Sequence, residues 1–123
     1  MKKILICTKH KALAVNVSKW LKKKDCKLYR LVGDADEVKE KLREKIEEFN
    51  PEVIITTYLD SIVANEIIIN EARAVKKDIL AYVFHGHPEV LGDLEGSGEG
   101  IRDYKVFPDL YDIFRDIGVT KAA

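Results

Sequence analysis

Glutamine is absent from this chain, methionine and tryptophan occur once each, cysteine twice and proline three times in 123 residues. Two cysteines, Cys7 and Cys26, cannot build a disulfide framework and do not share a metal-ligand spacing. Nothing else marks a secreted chain, so both are expected to be reduced and the protein to be cytoplasmic. No apolar run approaches the length needed to cross a bilayer, so no membrane partner is expected. The opening stretch Met1–Cys7 has a basic start, but Thr8-Lys9-His10-Lys11 breaks it and no cleavage-like site follows. An excess of either charge is also missing: 21 basic side chains balance 21 acidic ones. A general nucleic-acid binder would be basic, and none is expected here. Lys19, Lys22, Lys23, Lys24 and Lys27 do cluster, as suits the solvated end of a helix. There are no repeats and no linker, so residues 1–123 read as one domain, long enough to bury a core unaided.

What is present is an apolar fraction of 46% beside a charged fraction of 34%. The Lys/Glu-rich, Gln-free balance is the kind found in proteins of hyperthermophiles. The apolar residues fall into alternating patterns. Lys2–Cys7 is a short continuous apolar run, as in a buried strand. A helix over about Ala12–Lys23 gathers Leu13, Val17, Trp20 and Leu21 on one face. Cys26–Val32 reads as a second strand. Asp34 is placed to cap a helix, with Glu37 three residues on. That helix carries Val38, Leu42, Ile46 and Phe49 as its stripe and ends at Asn50-Pro51.

Glu52–Thr57, with its β-branched run, is a third strand. A helix from Asp60 or Ser61 to about Lys77 is expected to bury Val63, Ala64, Ile67, Ile68, Ala74 and Val75. That leaves Ile62 and Ile69 on its far side. Ile79–Phe84 is a fourth strand. The glycine-rich stretch that follows suggests a short helix near Glu89–Leu94, then a flexible loop over Gly92–Gly100. Asp103–Phe107 is a fifth strand. Pro108 opens a last helix with Leu110, Ile113, Phe114 and Ile117 on its stripe.

Strands alternating with helices predict a parallel sheet covered on both faces. Right-handed crossovers leave few arrangements. The expected fold is flavodoxin-like, a three-layer α/β/α domain with a five-stranded parallel sheet in the order 2-1-3-4-5.

The chain resembles a response-regulator receiver domain over nearly its whole length. Lys2-Lys3-Ile4-Leu5-Ile6 resembles that family's first strand. Pro51-Glu52-Val53-Ile54-Ile55 resembles the entry to its third, and Asp103-Tyr104-Lys105-Val106-Phe107-Pro108 its fifth strand with the following proline. The resemblance implies a regulatory role through aspartyl phosphorylation, yet the residues for it differ. Cys7-Thr8-Lys9 stands where the family has an acidic pair. Thr57 replaces the phospho-accepting aspartate, Phe84 or His85 the hydroxyl residue, and Phe107 the lysine. Mg²⁺ requires carboxylate oxygens, and these positions supply none. The resemblance therefore implies a degenerate receiver.

Ligands of such sheets bind outside the carboxyl ends of the strands. The candidate ligand-binding residues at that edge are Cys7, Thr8, His10, Thr57, Asp60, His85 and His87. Each has an ordinary structural reading beside the functional one. Cys7 suits a small buried hydrophobe, Asp60 an N-cap, and His85-Gly86-His87-Pro88 a polar turn. A cysteine after the first strand is also similar to that of the sugar phosphotransferase IIB domains, but their phosphate loop is missing. Gly96-Ser97-Gly98-Glu99-Gly100 lacks the lysine and the helix of a P-loop. No metal and no cofactor are expected. These features support a receiver-like regulatory or protein-interaction domain that is not phosphorylated, working through a protein partner or a small ligand. The alternative is a small enzyme or ligand-binding protein using the His/Cys/Asp group. Ile62 and Ile69 further suggest a homodimer.

Overall fold

The computed structural model describes residues 2–21, 26–57, 62–84, 105–107 and 110–119. Strands β1 (Lys2–Thr8), β2 (Cys26–Val32), β3 (Val53–Thr57), β4 (Leu80–Phe84) and β5 (Lys105–Phe107) form one parallel sheet in the order β2-β1-β3-β4-β5. The helices are α1 (Lys11–Leu21), α2 (Ala35–Phe49), α3 (Ile62–Val75) and α4 (Leu110–Ile117). This is the expected flavodoxin-like arrangement. The expected helix near Glu89–Leu94 and the loop Gly92–Gly100 lie outside the described residues.

The two central strands explain the continuous apolar runs. Ile4 to Thr8 of β1 and all of β3 are buried, because both faces of the sheet are covered. Alternation along each strand divides the core in two. Leu5, Cys7, Ile54, Ala81 and Val83 pack with Val38, Leu42 and Ile46 of α2 and with Ile68, Ile69 and Ala72 of α3. Ile4, Ile6, Val53, Ile55 and Tyr82 pack with Val17 and Leu21 of α1 and with Ile113, Phe114 and Ile117 of α4. Trp20 of α1 stacks on Phe114 of α4, ring centres 5.1 Å apart. The Tyr82 hydroxyl donates to Asp116 Oδ2 at 2.6 Å, tying β4 to α4. Burial, then that bond and the charge of Asp116, pushes the Tyr82 pKa above its usual range.

The ends of α2 are fixed locally at one side and by tertiary contacts at the other. Asp34 is its N-cap and accepts from Glu37 N at 2.9 Å. Asn50 closes it in the left-handed conformation, φ 53°, with its N–H on Ile46 O. The last turn contains no basic residue of its own. Its C-terminal end instead meets lysines from distant parts of the chain. Lys3 Nζ donates to Phe49 O at 3.3 Å, and Lys76 Nζ donates to Pro51 O at 2.7 Å and Asn50 Oδ1 at 3.0 Å. These cations sit at the negative end of the helix dipole.

Helix α3 departs from the expected face. Asn65, Ile68, Ile69 and Ala72 are buried, with Ala64 and Val75 packed beside them. Val63 and Ile67 are exposed, at 63% and 42%. Ile69 therefore enters the core and cannot line an outer patch. The reason is compositional: α3 is apolar nearly all round. The three consecutive isoleucines 67–69 sweep about 200° of a helix, so they cannot share one face. The sheet takes Ile68 and Ile69 and leaves Ile67 outside.

Candidate functional site

The strand register sets the carboxyl edge out as rows. Thr8 pairs with Val32 on one side and Thr57 on the other, Thr57 with Phe84, and Phe84 with Phe107. One row therefore holds the positions that the receiver resemblance aligned with its acceptor aspartate, hydroxyl residue and lysine. In this chain the row reads threonine, threonine, phenylalanine, phenylalanine. The row before it runs Cys7, Thr56, Val83, Val106. Alternation turns Thr8 and Thr57 to the α1/α4 face, and Cys7 and Thr56 to the α2/α3 face.

This parity separates residues that the sequence placed in one pocket. Cys7 has no exposed surface and packs in the α2/α3 core. Burial pushes its thiol pKa well above the usual range, so the nucleophilic thiolate does not form. Cys7 thus belongs to the core and not to a pocket shared with Thr8, Thr57 and His10. Cys26 is half-buried. Under native conditions iodoacetamide is expected to modify Cys26 and spare Cys7, with Cys7 reacting only after denaturation. Mass mapping of the alkylated peptides checks this, and rapid native labelling of Cys7 would contradict the burial argument.

Thr8 has a defined local task. Its Oγ1 accepts from His10 N at 3.1 Å, a side-chain turn that leads the chain from β1 into α1. His10 is exposed, and its carbonyl accepts from Ala14 N at 3.2 Å, which makes it the N-cap position of α1. Lys9, His10 and Lys11 therefore place basic side chains at a helix N-terminus, where the dipole favours anions. The opposite flank of the edge is closed by Gly33, whose N–H donates to Thr8 O at 3.1 Å.

Thr57 is different. It is fully buried beside Thr8, and among the described residues its Oγ1 has no hydrogen-bond partner. The same holds for Thr56 Oγ1 on the other face. Buried polar groups are nearly always paired, so two orphan hydroxyls on adjacent residues mark this strand end as unusual. Asn65, 2% exposed, adds a buried amide on the core face of α3, the helix that follows β3. Its signal in the sequence was faint: one of two asparagines in a helix where Ile, Val and Ala fill nine of fourteen positions. Asp60, His85 and His87 lie outside the described residues. Among the described residues no three His, Cys, Asp or Glu side chains are grouped as metal ligands.

No family model matches the sequence, and no curated protein does. Solved structures do. A protein from Burkholderia thailandensis described as a pilus assembly protein (CpaE) superposes with a TM-score of 0.66 at 14% identity, covering 95% of this chain and 94% of that one. The receiver domain of a Francisella response regulator gives 0.63 at 17% identity, covering 96% and 94%. A pilus assembly-related protein from Burkholderia pseudomallei gives 0.64 at 14%, covering 95% and 86%. The fold is that of a receiver-like α/β domain. At these identities the likeness is one of fold, which does not fix function. No described helix is long and apolar enough to cross a membrane.

Proposed function

We propose that this chain is a receiver-like regulatory or protein-interaction domain of the cytoplasm that does not carry out aspartyl phosphorylation. The observation behind this is the row Thr8–Thr57–Phe84–Phe107. An acyl phosphate needs a carboxylate nucleophile and a divalent cation held by carboxylate oxygens. The row offers hydroxyls and phenyl rings. The fold also occurs in a protein described as serving pilus assembly, so it is not confined to response regulators. The reading involves a protein or small-ligand partner and needs no nucleic acid, membrane or cofactor.

Incubation with acetyl phosphate and Mg²⁺ is expected to leave the intact mass unchanged. A stable, Mg²⁺-dependent phosphoryl adduct would overturn the reading.

A second reading has one specific observation in its favour: the Thr57 hydroxyl, without a partner among the described residues, is next in the row to Thr8, which leads into the basic N-terminus of α1. A small anion at the carboxyl edge would give that hydroxyl a partner and meet the helix dipole. Titration with inorganic phosphate, followed by the amide resonances of Lys9–Ala12, separates the two readings. Saturable shifts there favour ligand binding, and unshifted resonances favour the interaction domain.

A further inference from the structure

One segment breaks the charge balance of the chain. From Lys19 to Arg30 the sequence holds six basic residues and one acidic residue, Asp25, while the whole chain has a net charge of zero. The last five residues of that segment belong to β2, which ends the sheet. All seven residues of β2 pair with β1 in an unbroken register, from Lys2 with Cys26 to Thr8 with Val32. The backbone groups on the other side of such a strand are a template for a further strand, and no described strand lies beyond β2. Lys27 and Arg30 are exposed along it, and neither side chain has a hydrogen bond or ion pair among the described residues. The strand carries no acidic residue. Alternation sets Lys27 on the α2/α3 face with Leu31, and Arg30 on the α1/α4 face with Leu28.

We propose that the outer edge of β2 takes an extended acidic segment of another protein as an added strand, with two carboxylates three residues apart, one beside Lys27 and one beside Arg30. A polypeptide fits this edge because its own backbone supplies the complementary donors and acceptors. Charge chooses between polypeptides. A second copy of this chain would bring two more cations to an edge that already holds two, and lysine on an edge strand is a common guard against such self-pairing. An acidic strand gives the same two side chains partners. The three-residue spacing follows from the faces, since positions an odd number apart lie on opposite faces of a strand. Seven residues span about 23 Å. That is small beside a standard interface, so the complex is weak, with a Kd on the order of 10 µM to 1 mM. The proposal deepens the reading above by naming the class of partner, and it rests on the interaction role.

The probe is the end-blocked peptide Thr-Glu-Val-Thr-Glu-Val-Thr, titrated into the full chain and followed by amide resonances. Saturable shifts are expected over Lys27–Val32. The isomer Thr-Glu-Val-Glu-Thr-Val-Thr has the same composition and charge but sets both carboxylates on one face. It is expected to bind about threefold more weakly. Lys27→Glu combined with Arg30→Glu is expected to weaken the first peptide about tenfold or more. Both positions are exposed, so the melting temperature of that variant stays near the parent's. Methylating every backbone amide of the peptide removes its donors and keeps its charge, and is expected to abolish binding. Unshifted β2 amides, equal binding of the two isomers, or undiminished binding of the methylated peptide would each overturn the proposal. So would concentration-dependent shifts of the β2 amides without peptide, which would make a second copy the occupant. An oligothymidylate that shifts the same amides more tightly would overturn it too, by making the edge a nucleic-acid surface. The acetyl phosphate experiment is unaffected by any of these results, so the two ideas fail separately.

Discussion

Ile69→Glu is expected to abolish cooperative unfolding, while Ile67→Glu, two positions earlier, leaves the melting temperature of the dilute protein within a few degrees of the parent. Ile69 is 1% exposed and packed among Leu5, Ile54, Ile68 and Ile79, whereas Ile67 is 42% exposed. Truncating a buried isoleucine to alanine costs roughly 2–5 kcal/mol through lost transfer energy and the cavity left behind. Glutamate adds the cost of desolvating a carboxylate with no partner. Domain stabilities are on the order of 5–15 kcal/mol, so the combined loss consumes most or all of it. A surface change stays within about 0.5 kcal/mol. Thermal melts by circular dichroism at low micromolar concentration measure both variants. Equal destabilisation by the two changes would falsify the assignment of the α3 core face.

That contrast also locates where sequence reasoning stopped. In α2 every third or fourth residue is apolar and the rest are charged, so Val38, Leu42, Ile46 and Phe49 could be read off directly, and all four are buried. Hydrophobic periodicity works there because only one face can enter the core. In α3 it fails because nine of the fourteen residues, counting alanine, are apolar. Several faces would serve, and the choice is made by the sheet to which β3 delivers the helix. The strand order was legible for a different reason. Parallel strands with right-handed crossovers admit few topologies, and the central strands β1 and β3 announced themselves as unbroken apolar runs.

The carboxyl edge was legible in composition but not in parity. Cys7, Thr8 and Thr57 were placed at the correct ends of their strands. Whether neighbouring residues share a face depends on the strand's phase, and a shift of one residue exchanges the faces. The threonine hydroxyls fared worse. A β-branched run Val53–Thr57 reads simply as strand propensity. Nothing in it distinguishes a hydroxyl that finds a partner from one that does not. The lysine contacts at the end of α2 were hidden too, since Lys3 and Lys76 lie far from Phe49 and Asn50 in sequence.

The hydroxyls can be separated by experiment, because three threonines at the same depth should respond to one substitution with different signs. Thr57→Val and Thr56→Val remove buried hydroxyls that have no partner among the described residues and keep the shape of the side chain. An unsatisfied buried polar group costs about 1–3 kcal/mol, and a methyl in its place gains contact with the surrounding core. Each change is therefore expected to stabilise by about 1 kcal/mol, which for a domain of this size raises the melting temperature by roughly 4 °C. Thr8→Val is the control. Its hydroxyl accepts from His10 N at 3.1 Å at the entrance to α1, and losing that bond should destabilise by about 1 kcal/mol. Chemical denaturation of the three variants decides the matter. If Thr57→Val lowers stability as much as Thr8→Val, the Thr57 hydroxyl has a partner in the folded protein and the edge is only structure. If Thr56→Val and Thr57→Val both raise it, the chain has kept two hydroxyls at a cost in stability. Sites of that kind are where stability is commonly given up for binding, and the phosphate titration repeated on Thr57→Val then tells whether this hydroxyl is one of them.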